Sequence, residues 1–559
     1  MLRIAKSELM PISGVERDFD EWTAAPFAEK LGAIARRHDN PKSNAFHPDA
    51  FWESVRLFAA EGLTTLGIPE EYGGMGGTSR LYALATRRFC AADAGIGLSV
   101  GATKSLFIDP ILIFGTEEQK QRWVVPFVNG ELIGCYCQTE PGAGSDVAAK
   151  TVKAVQQPDG SFRITGEFTF ITNGSEANAG LAMAVTNSAS SGPGGKFTMF
   201  ILDFDRAKAD GTLTVESNFT KIGLHHSPTT VLRFDDCYAA AEDILGKLHG
   251  GWKVAMQLLT DSRATVIAMQ GLGVMEAVRR VLDEYTKNRK LFGTPTNPGK
   301  TLAQFRRTRA QRLTLAARCE GLFWLTMLSA TAKDKAKASG DVDSQQYSLE
   351  ASCSKLLAGE WAMWSAIDGF ELHGGIAYML ETLMALLLCD SFIVRTYEGA
   401  KAVQCSVIVK ELLMRLIMAV PETAQKVFAG QNPFDNSEPL RGAVARVWPL
   451  SVLEMESEDT ELRERFLFLF GEAAVDADFG VEALQQEGRD QAMVWALLAE
   501  AYATLMTCEL VEMAEASASH RAMLHQDARD ALDKVASELK AMQDPAYRAV
   551  LKGEDTDCF

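Results

Sequence analysis

The stretch CYCQTEPGAGSD, Cys135 to Asp146, decides how the rest of the chain is read. It opens with three apolar residues of β propensity, Cys135, Tyr136 and Cys137. It then breaks at Pro141-Gly142-Ala143-Gly144, where glycines can take φ > 0 and let a flat ligand approach the backbone. Gln138, Thr139 and Ser145 place hydrogen-bonding groups around the break. A strand ending in a small-residue turn edged with polar groups suits a planar polar ring such as a flavin. An ordinary hairpin loop is the alternative reading of the same residues. The dinucleotide fingerprint GxGxxG is absent, and no helical pattern follows the glycines.

On either side of this stretch the pattern changes. Upstream, Trp22, Phe27, Leu31 and Ile34 recur at helical spacing, and helices are expected again over 51–62, 81–89, 96–107 and 117–128, with a Pro/Gly-rich connection over 66–77. Downstream, short runs over 151–155, 162–165, 181–185, 197–202 and 231–234, with turns at 158–160, 173–174 and 192–195, predict a middle domain of short antiparallel strands. Helices resume at Gly251 and run to about Leu416, interrupted near Gly293 to Gly299. The expected fold is a multidomain α+β one. It has an arm (1–15), an N-terminal helical domain (16–130), a middle β-barrel or sandwich (131–245), a four-helix bundle (246–420), a linker (421–439) and an extra C-terminal helical extension (440–559).

Length and composition bound the possibilities. A chain of 559 residues exceeds one core, and 47% hydrophobic with 23% charged residues fits a globular protein. A net charge of -17 argues against nucleic acid or an anionic membrane as partner. The ten cysteines form no CxxC pair, so no metal site is expected, and their apolar contexts suggest reduced, buried thiols in a cytoplasmic protein. No secretory signal and no membrane-spanning apolar run is read from the sequence. The dense run Phe466-Leu-Phe-Leu-Phe470 is core-like, with peripheral membrane contact as the minor alternative.

CYCQTEPGAGSD resembles the flavin-binding signature of the acyl-CoA dehydrogenase family, and the similarity continues in order from about Asp18 to Leu413. The resemblance implies FAD, an acyl-CoA substrate, and electrons passed to an electron-transferring flavoprotein. It implies that Tyr136, Gln138, Thr139, Gly144 and Ser145 line the ring or its neighbours, with Ser145 also near the CoA arm. Phe170-Ile171-Thr172 resembles the family's W-I-T strand, Phe170 covering the ring and Thr172 bonding near N5. Arg289 and Phe292, with Gln304 downstream, match the motif that holds the adenine and pyrophosphate end, typically from the second subunit. Glu371-Leu-His-Gly374-Gly375 matches the QxxGG segment. The C-terminal extension is similar to that of very-long-chain members, where it implies a homodimer.

Breaking a C–H bond beside a thioester requires a carboxylate in a dry site, donors for the thioester oxygen and a hydride acceptor opposite. Glu398, in Arg395-Thr-Tyr397-Glu-Gly399, resembles the family's catalytic glutamate in IYEG. Tyr397 and Gly399 flank the substrate by the same resemblance, and Arg263 matches an arginine beside the site. Ser262 stands where some relatives place the base and cannot serve as one. Gly97 and Gly101 share a helix face. They are read either as close packing or, because their segment resembles very-long-chain members, as a deepened acyl tunnel for a long chain. Several residues depart from the family: Glu371 for Gln, Ala377 for Gly, Cys389 for Arg, and Ala400 for Thr, with Lys401 able to compensate Glu371 if it faces the phosphates. A catalytically reduced binding or assembly protein, and a related flavin enzyme on a non-fatty acyl-CoA, remain the alternatives.

Overall fold

The computed structural model describes residues 13–38, 46–187, 196–216, 218–294, 299–340, 344–401 and positions 403, 404, 407, 408 and 411. The expected linker, C-terminal extension and Phe466–Phe470 run lie outside the described residues. The chain divides into two compact units, one of Ser13–Val281 with Thr326–Val403, the other containing Leu282–Leu325.

In the first unit, helices α1 (Gly14–Phe19), α2 (Ala25–His38), α3 (Pro48–Ala60), α4 (Ser79–Ala92), α5 (Ala94–Thr103), α6 (Asp109–Phe114) and α7 (Glu117–Val128) precede the sheet. Local chemistry sets their starts. Thr78 and Asp93 accept from the first-turn amides of α4 and α5, and Thr116 with Gln119 forms a capping box on α7. Ala94–Phe114 is one continuous helical stretch, long and apolar enough to cross a membrane, yet it is mostly buried inside the protein. The sequence reading found no such stretch, because Lys104 and Asp109 interrupt it. In the fold those two pair with each other inside the protein.

Seven strands follow: β1 (Gly134–Cys137), β2 (Lys153–Gln156), β3 (Phe162–Thr172), β4 (Ala179–Asn187), β5 (Lys196–Asp203), β6 (Leu213–Val215) and β7 (Thr229–Ala239), with the short helix α8 (Phe204–Ala209) after β5. They form one sheet in the order β1-β4-β2-β3-β7-β6, with β5 paired to β4. The expectation of short, wholly antiparallel strands is corrected on two points. Strand β1 pairs with β4 in parallel, Gly134 opposite Ala179 and Cys137 opposite Ala182, and β3 and β7 each run for 11 residues. The alternation read in β4 and β5 is also corrected. Leu181, Met183, Phe197, Met199 and Ile201 enter a core shared with Phe107, Trp123 and Leu258, whereas Ala182, Ala184, Phe200 and Leu202 enter a second core with Phe162, Phe168 and Phe234. Both faces of these strands are buried, which makes them near-continuous apolar runs.

Helix α9 (Gly251–Ser262) passes through a π-turn at Arg263–Ile267 into α10 (Ala268–Asn288), which runs on into the second unit. Helices α11 (Arg306–Ala338), α12 (Ser348–His373) and α13 (Leu383–Val394) follow. A π-turn inserts an extra residue and re-aims the side chains around it. Here it falls at Arg263, next to Ser262, at the candidate site.

Candidate active site

The loop after β1 is built around a buried carboxylate that the sequence reading passed over. Glu140 and Ala143 exchange backbone hydrogen bonds, 3.1 Å each, and close the Pro141-Gly142 turn. The Glu140 carboxylate accepts from Thr151 N at 2.6 Å, Thr151 Oγ1 at 2.8 Å and Val152 N at 3.2 Å, and pairs with Lys150 at 2.9 Å. Lys150 also reaches the Gln138 carbonyl and lies 4.9 Å from the centre of the Phe168 ring. A buried ion pair this fully satisfied fixes the loop, where a half-satisfied one would destabilise it. Thr169 N donates to Thr139 O at 2.9 Å and ties the loop to β3. The Tyr136 hydroxyl is bonded to the side chain of Gln138.

Gly142 and Gly144 do not take positive φ. A Cβ added to either would meet no atom within 4 Å. The glycines therefore serve access to the backbone and not turn geometry, a correction to half of the original reading. Gly144 and Ser145 are exposed, and Thr139 is half-buried.

On β3, a register shift between Phe168 and Ile171 puts Phe170 at φ 58° and turns its ring outward, 64% exposed, stacked on Phe219 at 5.3 Å. Ile171 packs into the core, so only its backbone can meet a ligand. Thr172 is half-buried. Asn173, fully buried at φ 67°, donates to Ser99 O at 2.8 Å and Gly134 O at 3.2 Å, which latches β3 to α5 and β1.

The turn after α13 carries Glu398 at φ 52° and Gly399 at φ 98°. A glutamate held there costs about 1–3 kcal/mol and persists only when its surroundings over-determine it. They do so here. Ser262 Oγ donates to Glu398 Oε1 at 2.9 Å, and Ser105 Oγ lies 3.1 Å from Ser262 Oγ. Arg263, 8% exposed, donates from Nε to the Glu398 carbonyl at 2.9 Å. Lys355, 1% exposed, donates to Gly399 O at 2.5 Å and Arg395 O at 3.3 Å. Burial pushes the Glu398 carboxyl up to about 7, against the opposing pull of Arg263, the Ser262 hydroxyl and Lys355. The phenol of Tyr136 is raised by burial, by Cys137 and by the Glu398 charge, which reaches it across the site.

Other predicted residues stand as follows. The Tyr397 hydroxyl is bonded to Gln270, so it is committed inward. Gly374, at φ 69° just past α12, and Gly375 both face open space for a Cβ, while Glu371 is exposed near the end of α12. Lys401 lies 3.4 Å from Glu360. A Cβ on Gly97 would fall 2.5 Å from Cys90 Sγ, and one on Gly101 would fall 2.8 Å from Val266 Cγ1. These two glycines admit neighbouring helices, and the tunnel-deepening reading is withdrawn. In the second unit, Arg289 is exposed at the head of a two-stranded ribbon, Lys290–Leu291 with Lys300–Thr301. There Phe292 is 81% exposed at φ 57°, 5.9 Å from Phe305, and Gln304 accepts from Thr301 N at 2.8 Å. No cluster of three or more metal-ligating side chains occurs among the described residues.

The sequence reading missed Lys355, Glu140 and Asn173. Their only sequence signal was a charged or polar residue inside an otherwise apolar or turn segment.

A carboxylate with raised proton affinity, buried cations behind it and an open glycine-edged loop fit a site that takes a proton beside a flat ligand, as an acyl-CoA dehydrogenase requires. Comparison with known proteins agrees. The N-terminal, middle and C-terminal domains of acyl-CoA dehydrogenase match residues 15–131, 135–237 and 249–413. The mouse short-chain specific acyl-CoA dehydrogenase is 31% identical over 397 residues, 71% of this chain and 88% of its own. Butyryl-CoA dehydrogenase from Megasphaera elsdenii shares the fold with a TM-score of 0.64 at 31% identity, over 72% of this chain and 98% of its own. A chain from a structure of the electron transferring flavoprotein of Acidaminococcus fermentans matches with a TM-score of 0.64 at 30% identity, over 72% and 98%. The chain belongs to the acyl-CoA dehydrogenase family and is an FAD-dependent acyl-CoA dehydrogenase.

Proposed function

We propose that this enzyme removes an α-proton with Glu398 from a short, straight-chain acyl-CoA and leaves a 2-enoyl-CoA. The observation that carries the assignment is the Glu398 carboxyl itself, desolvated to a proton affinity near 7 while one oxygen is held by Ser262. A base matched to neutral pH takes a proton without being permanently charged or permanently protonated. Arg263 and Lys355 fix its backbone, and the positive φ of Glu398 sets the direction of the side chain.

The residues present fit FAD. Gly142 and Gly144 leave backbone open for a flat ring, Phe170 offers an exposed aromatic face, and Thr172 stands beside it on β3. When bound, FAD supplies the acceptor for the hydride leaving the β-carbon. Tyr136, Gln138, Thr139, Gly144 and Ser145 would hold the ring side, with Ser145 reaching the CoA arm. By the same resemblance, Arg289, Phe292 and Gln304 are proposed for the adenine and pyrophosphate end in a homodimer, since Arg289 offers a permanent cation with two parallel donors, and Gly374 and Gly375, read separately in the first unit, leave backbone open to a phosphate. Glu371, exposed near the end of α12, would weaken that end by repulsion. The electrons would leave to an electron-transferring flavoprotein, the protein named in the Acidaminococcus structure.

A short acyl chain is supported by the short-chain and butyryl names of the relatives and by the packing of Gly97 and Gly101 against Cys90 and Val266. A large side-chain-free tunnel at those glycines, as the long-chain reading required, has no room there. The test is flavin bleaching and steady-state turnover with butyryl-, octanoyl- and palmitoyl-CoA, in wild type and Glu398→Gln. Turnover is expected with butyryl-CoA and lost at least a thousandfold in the variant. Retained turnover in Glu398→Gln removes the base assignment, and a preference for palmitoyl-CoA removes the short-chain one.

A further inference from the structure

Helix α12 lies directly against the turn that bears the base. A Cβ on Gly359 would sit 2.9 Å from Arg395 Cα, so the two backbones meet there. One turn earlier, Lys355 donates to the carbonyls of Gly399 and Arg395 at 2.5 and 3.3 Å. One residue beyond Gly359, Glu360 holds the Arg395 guanidinium at 2.5 and 3.3 Å and lies 3.4 Å from the Lys401 ammonium. The base turn is thus seated on a cradle made by one face of α12.

We propose that Lys355 is a positioning residue for the reaction: it locks the left-handed turn that aims Glu398 and sets a buried cation beside the carboxylate. This rests on Glu398 being the base.

Geometry carries the inference. Arg395 caps α13, and its own carbonyl lies past the last helical turn. Two residues at positive φ follow within the next four: Gly399 adopts that conformation freely, whereas Glu398 does not and must be held in it. Lys355 bridges carbonyls on both sides of Glu398, and Arg263 takes the carbonyl of Glu398 between them. Three carbonyls of one turn are therefore held by two buried cations from two separate helical segments. Released, Glu398 relaxes toward negative φ and its carboxyl swings away from the substrate carbon. A displacement of about 1 Å there costs on the order of a hundredfold in rate.

The charge has its own effect. Glu398 is faced by Ser262 and Arg263 from the α9 side, Lys355 from α12, Tyr136 from β1 and Tyr397 from its own turn, while Glu360 acts on Lys355. Arg263 and Lys355 are the cations that oppose the desolvation of Glu398. Removing one of them raises the proton affinity of the base. A lysine that merely filled space would leave that affinity where it is.

The experiment uses the full-length, FAD-loaded enzyme with butyryl-CoA and an artificial electron acceptor. In Lys355→Met, kcat is expected to fall by about 10- to 100-fold with KM changed less than about threefold. The acid limb of the kcat/KM profile is expected to rise by about one pH unit, the order of effect an adjacent opposite charge exerts. Lys355→Arg is expected to return the acid limb to its wild-type position while kcat stays depressed, because the planar guanidinium keeps the charge but not the point contact. Glu398→Gln is run alongside: turnover there sinks the base assignment whatever Lys355 does. With Glu398→Gln inactive, a Lys355→Met enzyme of wild-type kcat and acid limb overturns the proposal. A fall in kcat with an unmoved acid limb also overturns it, since a packing defect alone produces that. Should Lys355→Met be recovered without flavin, Lys355→Gln is judged by the same two readouts. Loss of flavin in all the variants, Arg included, marks a steric role and overturns the proposal as well.

Discussion

At Glu398 two demands oppose each other. Burial disfavours the carboxylate, and Arg263, Ser262 and Lys355 favour it, with burial the larger effect. The carboxyl therefore binds its proton more tightly in the folded protein than its ordinary value of 4.5. A group raised in this way contributes stability that is fully present below the unfolded value and is lost as pH rises through the folded one, here between about 4.5 and 7. Glu398→Gln, which mimics the protonated form, is accordingly predicted to match wild type near pH 4.5 and to exceed it at pH 8. The upper limit of the gain is on the order of 3 kcal/mol, reduced by whatever water reaches the site. Urea midpoints of the two proteins at the two pH values check this. A variant that loses activity while gaining stability as pH rises from about 4.5 to 7 points to a working carboxylate at a strained position. Equal midpoints at pH 8 would mean that Glu398 is not desolvated. The residue itself was readable from the sequence through RTYEG. Of its supports, Arg263 was placed beside the site by resemblance and Ser262 was noted next to it, but Ser105 and Lys355 were not readable, because they lie far from Glu398 in the chain and meet it only when the helices pack.

At the scale of elements, the glycine loop after β1 separates what the fold needs from what the ligand needs. Gly97 and Gly101 are packing glycines, each with a neighbour inside the space a methyl would take, whereas Gly142 and Gly144 face nothing within 4 Å. Neither Gly142 nor Gly144 has a backbone conformation reserved for glycine. Gly144→Val should therefore leave the melting temperature of flavin-free protein within about 2 °C of wild type, as surface substitutions free of contacts do. Flavin content after purification is expected to fall at least fivefold, because the branched side chain fills the approach to the backbone. Absorbance near 450 nm against protein concentration measures the outcome. A variant that keeps its flavin would show that the ring does not pass over this loop. The sequence reading located this loop, and the strand before it, from composition and turn residues alone. It gave the glycines partly the wrong reason, since positive φ is a property of the settled turn. It could not see that Glu140 and Lys150 hold the loop from beneath.

Across the molecule as a whole, the alternation of helical, sheet and helical segments was legible, because amphipathic period and turn residues are local. The parallel pairing of β1 with β4 was not legible, since it joins residues about 45 apart across β2 and β3, with Asn173 bonded to Gly134 O and Asn178 N to Ile133 O. Nor was a buried charge cluster that joins segments from three parts of the first unit. Lys104 pairs with Asp109, Lys333 lies 3.9 Å from Asp109 and 3.7 Å from Asp261, and Asp261 takes bonds from Tyr347 and, at 3.1 Å, from Gln257. All six side chains are buried. Burial alone would raise the Asp109 carboxyl, but Lys104, Lys333 and Lys337 overcome it and hold it below the ordinary 3.8. A depressed carboxylate contributes stability that is present above its unfolded value and lost as pH falls through its folded one. Asp109→Asn removes the anion and leaves the cations of Lys104 and Lys333 buried with only Asp261 to balance them. The expected cost at pH 7 is about 3–5 kcal/mol, the usual result of breaking one side of a buried pair. Because the stabilising charge belongs to Asp109, the gap between variant and wild type should stay constant from pH 7 to 5 and narrow below pH 3.8. Urea melts of the full chain across that range decide the matter. A gap that does not narrow in acid would place the defect in packing and not in charge, and would remove the cluster as an electrostatic tie between the helix of Lys104 and those of Asp261 and Lys333.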